Sequence, residues 1–425
     1  MVLGTPASIL HDGSGGRGEE VARGSASAMR FSERTNWNTE ESELARAHRE
    51  RVEAGLPLAD LTASNPTRCG FAYDENLLEA LGDRRALDYD PQPLGLLAAR
   101  ESVCRYYASH GVTVGPEQVV LTTSTSEAYS YLFRLICDPG SEILVPQPGY
   151  PLFDFLSVLD DVRLRPVPLV YDYGWQIEPE GFRRAITPQT RAMVLVHPNN
   201  PTGHFTKDWE AEELGRLCRP HDLSLIVDEV FLDYGFEGEA KSFAAGLEGV
   251  AVYVVSGLSK IAGLPQMKAA WIVAAGAAGK QAMDRLEVIA DTFLSMNAPV
   301  QWAMPGWLEG REVIHRQIRA RVMANLAELD RRLAEQNTIT RLKVEGGWYA
   351  VLRIPAVRPD EQTVRELLER GVWIHPGYFF GMEGSGWLVS SLLCGEQEFS
   401  TGVTSLLAYL GTHQGGNKSR SRLQP

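Results

Sequence analysis

A series of short apolar runs, each ending in a polar turn, restricts what this chain can fold into. They include Val119 to Leu121, Ile143 to Val145, Met193 to Val196, Leu225 to Val227 and Val252 to Val255. Each is too short for a buried helix and shows no alternation of apolar and polar residues. Continuous runs of this kind fit strands of a mostly parallel sheet with helices on both faces. Most of the turns that follow lead into helical stretches. In an open sheet of that type ligands bind beyond the carboxyl ends of the strands. The polar residues after each run are therefore the first place to look for a site.

The rest of the chain fits around that sheet. Residues 1–28 are rich in Gly, Ser, Ala and Arg and carry too little apolar surface to fold, so disorder is expected there. Gly13 to Gly18 looks like a phosphate loop, but no strand precedes it and no apolar helix follows. Residues 29–60 are expected to form the N-terminal segment of a smaller domain. Within them, Thr39 and the acidic residues after it open a helix that should stop near Gly55. Residues 61–304 are expected to form the large domain. Near Pro305 the pattern changes. Ile314, Ile318, Val322, Leu326, Leu329 and Leu333 recur at helical spacing among charges, which predicts a long amphipathic helix. Strands such as Trp348 to Ile354 and a helix after Glu398 complete a small α+β domain over 305–411. Residues 412–425 read as a second loose tail. The expected class is therefore α/β, with a smaller α+β domain built from the N-terminal segment and the C-terminal part.

Composition narrows the function. A net charge of −13 argues against nucleic acid and against an anionic membrane surface. No apolar run approaches the roughly 20 residues that span a bilayer, and no signal-peptide core opens the chain. The five cysteines are widely spaced and lack C-x-x-C, which fits a reduced, cytoplasmic protein. The histidines lack metal-ligand spacing, so no metal is expected.

Four polar groups follow the apolar runs. Lys260, in Ser256-Gly257-Leu258-Ser259-Lys260, lies between an apolar strand and the apolar stretch Ile261 to Leu264. Burial there disfavours the ammonium and leaves a nucleophilic amine suited to Schiff-base chemistry. Asp228 is the first charge after Leu225 to Val227 and needs a cationic partner or several donors. A protonated pyridine nitrogen is one such cation; a helix cap is the plainer use. Asn200 lies in His197-Pro198-Asn199-Asn200-Pro201-Thr202-Gly203, by itself an ordinary turn signal. It precedes Asp228 by 28 residues (228 − 200), and Asp228 precedes Lys260 by 32 (260 − 228). Those intervals suit successive strand–helix–strand units, so all three reach one cleft. Thr122 to Ala128 opens a helix that buries Leu132, Phe133 and Ile136. Its first turn offers free N–H groups and hydroxyls, which serve either to cap the helix or to bind phosphate.

In this order and spacing, the Asn-Asn-Pro-Thr-Gly, Asp-Glu and Ser-Lys elements resemble the fold type I enzymes that use pyridoxal 5'-phosphate (PLP). The resemblance is to the class I/II aminotransferase group, which includes aspartate and alanine aminotransferases, and runs from about Phe31 to Leu410. It implies that Lys260 holds PLP as a Schiff base and shuttles the proton. It implies that Asp228 keeps the ring nitrogen protonated and that Asn200 donates to the phenolic oxygen. Ser124, Thr125 and Lys268 would contact the phosphate, and Tyr150 would stack on the ring. Tyr89 would reach the partner subunit's phosphate, which implies a homodimer with shared sites. Asn65, Arg68 and Asn297 would lie near the substrate. The implied activity is transfer of an amino group between an L-amino acid and a 2-oxo acid. C–S β-elimination on the same fold is an alternative. A more distant one is a PLP-binding regulatory protein, for which the DNA-binding domain is missing ahead of Phe31.

The chain departs from the family pattern at informative places. Phe231 replaces the tyrosine that donates to the phenolic oxygen, which should raise the pKa of the lysine–cofactor linkage. Lys268 replaces an arginine, giving a point charge for a fork. Gly257 stands where a hydroxyl is usual, with Ser256 or Ser259 able to compensate. Val389 stands where an arginine binds the substrate α-carboxylate, so Arg68, Arg353 or a substrate without that carboxylate must account for the change. Thr292 stands where aspartate enzymes bring a second arginine. Together with Trp348, Tyr349, Tyr378 and Phe379 this favours a neutral, alanine-like or hydrophobic amino acid.

Overall fold

The computed structural model describes residues 30–237 and 241–412. The expectation for residues 1–28 lies outside them, as does nearly all of the expected C-terminal tail. By its internal contacts the chain divides after Leu56. In the first unit, helix α1 (Glu43–Glu53) begins four residues later than Thr39 suggests. Ser42 explains the start: its hydroxyl accepts from the Ala45 N–H at 3.2 Å and caps the first turn.

From Pro57 onward a seven-stranded sheet dominates. Its strands in chain order are β1 (Val119–Thr122), β2 (Glu142–Gln147), β3 (Arg163–Pro168), β4 (Thr190–Val196), β5 (Ser224–Asp228), β6 (Ala251–Gly257) and β7 (Ala270–Gly276). Their order across the sheet is β1-β7-β6-β5-β4-β2-β3. Neighbours pair parallel except at β7, which runs antiparallel to both β1 and β6. Every expected apolar run lies in a strand. Strand β5 is buried along nearly all its length and β6 is buried after its first residue. That is why both read as continuous apolar stretches rather than alternating ones. Helix α2 (Thr125–Ile136) covers one face through Ala128, Tyr129, Leu132 and Phe133, which join Val194, Ile226 and Val255 in one core.

A four-stranded sheet follows, made of β8 (Thr340–Arg341), β9 (Tyr349–Arg353), β10 (His375–Pro376) and β11 (Trp387–Ser391), in the order β8-β9-β11-β10. It is antiparallel throughout. Ahead of it, α3 (Glu312–Leu333) buries Ile314, Ile318, Val322, Leu326 and Leu329, the expected stripe short of its last leucine. The closing helix α4 (Glu396–Thr412) starts two residues before Glu398 and takes in Thr412, where the loose tail was expected to begin. No helix among the described residues is long and apolar enough to cross a membrane.

Candidate active site

Strand register gathers the site at one end of the large sheet. Asp228, the last residue of β5, lies opposite Val196 on β4 and Val255 on β6. The turn after β4 carries Asn200, and the turn after β6 carries Lys260. Antiparallel β7 starts at this same end, where Ala270 lies between Thr122 of β1 and Gly257 of β6. The turn into α2 is therefore brought here too, as is Lys268 just ahead of β7. Asn199 fixes the Asn200 turn by donating to the Thr202 hydroxyl at 2.9 Å and to the Pro148 carbonyl at 3.1 Å. The second bond holds Tyr150's loop against that turn.

Lys260 sits in a single helical turn, Leu258–Ile261. Tyr234 anchors the backbone by donating to the Lys260 carbonyl at 2.7 Å. The Nζ atom lies 4.8 Å from the centre of the Trp348 ring and 5.7 Å from that of Phe231. Surrounding protein atoms strip water from the ammonium and lower its pKa to about 8, against a smaller raising effect from Asp228. Trp348, fully buried, meets Phe231 edge-on at 5.2 Å and Tyr234 at 5.0 Å. The small sheet thus reaches the site through the residue that precedes β9.

Asp228 is 6% exposed, and burial pushes its carboxyl up to about 6. It accepts from the Val230 N–H at 3.0 Å and from the Tyr129 hydroxyl at 3.1 Å. Two neutral donors do not repay the desolvation of a carboxylate, a cost of several kcal/mol that a bound cation offsets. Asn200 is buried as well, and its amide oxygen has no hydrogen-bond partner. Ser124 caps α2 by accepting from the Glu127 N–H at 3.1 Å. That leaves the N–H groups of Thr125 and Ser126 without intrahelical acceptors, as at any helix start. A nucleophilic amine, a buried carboxylate short of a cation, a buried amide whose NH2 group can donate and a helix N-terminus suit PLP. Its aldehyde, ring nitrogen, ring substituents and phosphate make those demands.

The remaining expected residues are more scattered in their roles. Asn65 caps a short 3-10 turn through Thr67, whose N–H and hydroxyl lie 3.1 and 2.8 Å from its side-chain oxygen. Asn297 caps the helix Ala298–Glu309 through the Val300 N–H at 3.0 Å. Lys268 is exposed, in the left-handed backbone region at φ +52°. Tyr89 is 84% exposed. Arg353 is unavailable to a ligand: it donates to the carbonyls of Ser385 at 2.8 Å and Gly386 at 3.1 Å and stacks on Trp387 at 4.2 Å. Arg68 is exposed, and its guanidinium has no partner among the described residues. Val389 is fully buried on β11, in register with Val351 on one side and His375 on the other, and its side chain offers no donor to a carboxylate. At Gly257 a Cβ would meet the Ala269 carbonyl at 2.8 Å and Ala270 at 2.8 Å, so close packing against β7 excludes any hydroxyl side chain. Ser256 is engaged with the Glu229 carbonyl at 3.3 Å.

Sequence reasoning passed over Tyr129. The available signal was a tyrosine hydroxyl among the buried residues of α2, a signal it shares with Tyr131.

This sheet order, with a lysine, an aspartate and an asparagine at one strand end and a helix N-terminus beside them, defines a fold type I PLP enzyme. Residues 72–393 match the family model described as aminotransferase class I and II. The chain belongs to that family and is a PLP-dependent aminotransferase. It is similar to the aspartate/prephenate aminotransferase of Thermus thermophilus, with 30% identity over 78% of this chain and 86% of that protein. It is also similar to the glutamate-pyruvate aminotransferase of Haemophilus influenzae, with 25% identity over 75% of this chain and 81% of that one. The solved alanine aminotransferase of Pyrococcus furiosus shares the fold, with a TM-score of 0.82 over 90% of this chain and all of that one, at 24% identity.

Proposed function

We propose that the protein transfers an amino group between a neutral, alanine-like or hydrophobic L-amino acid and a 2-oxo acid, with Lys260 as the proton carrier. The supporting observation is the Lys260 amine, lowered to about 8 and set against Trp348 and Phe231, with no other cation among the described residues acting on Asp228. PLP, when bound, supplies an electron sink for the charge that develops at the substrate Cα. Lys260 anchors that cofactor, then takes a proton from Cα and returns it one position away, work suited to a pKa near 8. Asp228 offers its carboxylate to the ring nitrogen, Asn200 its amide to the phenolic oxygen, and Tyr150 its ring as a stacking face. Ser124, Thr125 and Lys268 bind the phosphate. Trp348 and Phe231 exclude water from the Lys260 amine.

Arg68 is the cation we assign to the substrate carboxylate. It has no partner among the described residues, and its neighbour Cys69 lies within electrostatic reach of Lys260. Aromatic and aliphatic neighbours favour an uncharged side chain. Leu78, Leu87 and Tyr89 are large apolar side chains left exposed, which a second subunit would cover in a homodimer with Tyr89 serving the partner's phosphate. A half-reaction screen against the twenty amino acids tests the reading. Loss of the cofactor's visible absorbance with alanine or a hydrophobic donor supports it. Reaction only with amines that lack a carboxylate would overturn both the substrate class and the role of Arg68.

A further inference from the structure

Tyr129 lies on the fully buried face of α2, 2% exposed. Its ring packs edge-on against Phe153 at 5.0 Å and tilted against Phe133 at 6.0 Å. An apolar side chain would fill that space as well. A tyrosine there places a hydroxyl in a core of Val194, Ile226 and Val255, where a lone O–H costs free energy unless it finds an acceptor. The acceptor is Asp228 Oδ2, at 3.1 Å.

We infer that Tyr129 is a positioning residue for the reaction: its hydroxyl holds the Asp228 carboxylate ionised and aimed toward the cofactor's ring nitrogen. The inference rests on the role proposed above for Asp228. The other oxygen, Oδ1, accepts from the Val230 N–H at 3.0 Å. Two donors on two oxygens fix the rotation of the carboxylate, and one donor leaves it free to turn. The same helix serves the cofactor twice. Its first turn presents N–H groups to an anion, and the next turn sends a hydroxyl to the carboxylate at the end of β5.

Several titratable groups surround Asp228. Tyr129 approaches from α2, Lys260 from the turn after β6, Tyr150 from the loop after β2 and Tyr107 from the helix Leu97–Ser109. Glu229 adjoins it on its own strand. Among the described residues Lys260 is the one cation acting on Asp228, and burial disfavours its ammonium. The Tyr129 hydrogen bond therefore carries part of the work of keeping Asp228 charged and oriented for the ring nitrogen. Removing it raises the Asp228 pKa, because burial is the largest influence on this carboxyl and remains unopposed on that side.

The test is a double-mutant cycle on the full chain, read as the PLP dissociation constant of the apoenzyme by fluorescence titration at pH 6 and pH 8.5. For Tyr129→Phe we expect affinity to weaken about tenfold at pH 6 and less than threefold at pH 8.5, a hydrogen bond to a charge being worth about that much. The holoenzyme kcat falls with KM for the amino acid nearly unchanged. In an Asp228→Asn background, Tyr129→Phe changes affinity by less than twofold. A loss equal at both pH values, or equal in both backgrounds, would show a packing role only and overturn the inference. If Asp228→Asn alone leaves PLP affinity intact, the role of Asp228 fails instead. Melting temperatures of the apoenzymes separate misfolding from both outcomes. If Tyr129→Phe does not fold, the Tyr129→Leu variant replaces it in the same cycle.

Discussion

The strand ends of the large sheet and the face offered by the small sheet follow opposite designs. At the strand ends, the polar groups Lys260, Asp228, Asn200 and the first turn of α2 gather at one end of the sheet. On the small-sheet side the polar pattern is gone. Val389 is fully buried, Arg353 is committed to Ser385 and Gly386, and Trp348 lies over Lys260. Phe231 extends that apolar surface onto the large domain. On the proposed reading, the chain keeps the chemistry of the cofactor and holds the substrate from another direction. Cofactor binding demands fixed charges at fixed strand ends, whereas a substrate can be held from another direction.

The comparison can be broken first at its strong side. Lys260→Ala should lower the half-reaction rate by at least about 10⁴-fold, since one group serves as anchor and as proton carrier. A loss below about 100-fold, measured by stopped-flow absorbance, would mean that another base does the work. On the weak side, Arg68→Ala should raise KM for amino acids about tenfold or more with kcat little changed, as expected when a charged hydrogen bond is removed. An unchanged KM removes Arg68 and returns attention to substrates without a carboxylate. Phe231→Tyr sharpens the boundary between the regions. Restoring a donor near the cofactor should lower the pH midpoint of the bound cofactor's absorbance change by about one unit. A midpoint that stays or rises would mean the new hydroxyl does not reach the phenolic oxygen.

A last test, on stability rather than activity, concerns Glu229, fully buried and bonded to the Ser242 hydroxyl at 2.8 Å and the Phe243 N–H at 2.6 Å. Burial pushes its carboxyl up to about 7, above its ordinary value of 4.5. The folded form therefore holds the proton more tightly than the unfolded form. Its contribution to stability is complete below pH 4.5 and is lost as pH rises through 7. Glu229→Gln should remove that slope, worth on the order of 3 kcal/mol at most, in apoenzyme denaturation measured from pH 5 to 8. An unchanged slope would assign it to other groups.

Much of this was legible in the sequence. The strands at the heart of the sheet are buried on both faces, so they stand out as continuous apolar runs. Asn200, Asp228 and Lys260 follow three of them within a few residues, and their spacing suits successive strand–helix–strand units that end on the same side of the sheet. Other features leave no such trace. Ala270–Gly276 is apolar like its neighbours, and nothing in its composition shows that it runs antiparallel. The exclusion of a hydroxyl at Gly257 follows from that antiparallel strand and was hidden with it. Arg353 reads like any free arginine until its carbonyl partners, 32 and 33 residues away in sequence, are in place. Tyr129 sits in a run that fits a buried helix face, so its hydroxyl is visible only once Asp228 lies beneath it.

The most direct test of the central claim is borohydride reduction of the holoenzyme followed by peptide mass mapping. The account predicts that the cofactor is fixed to Lys260 and to no other lysine. A label on Lys268, or none on the peptide that contains Lys260, would contradict it.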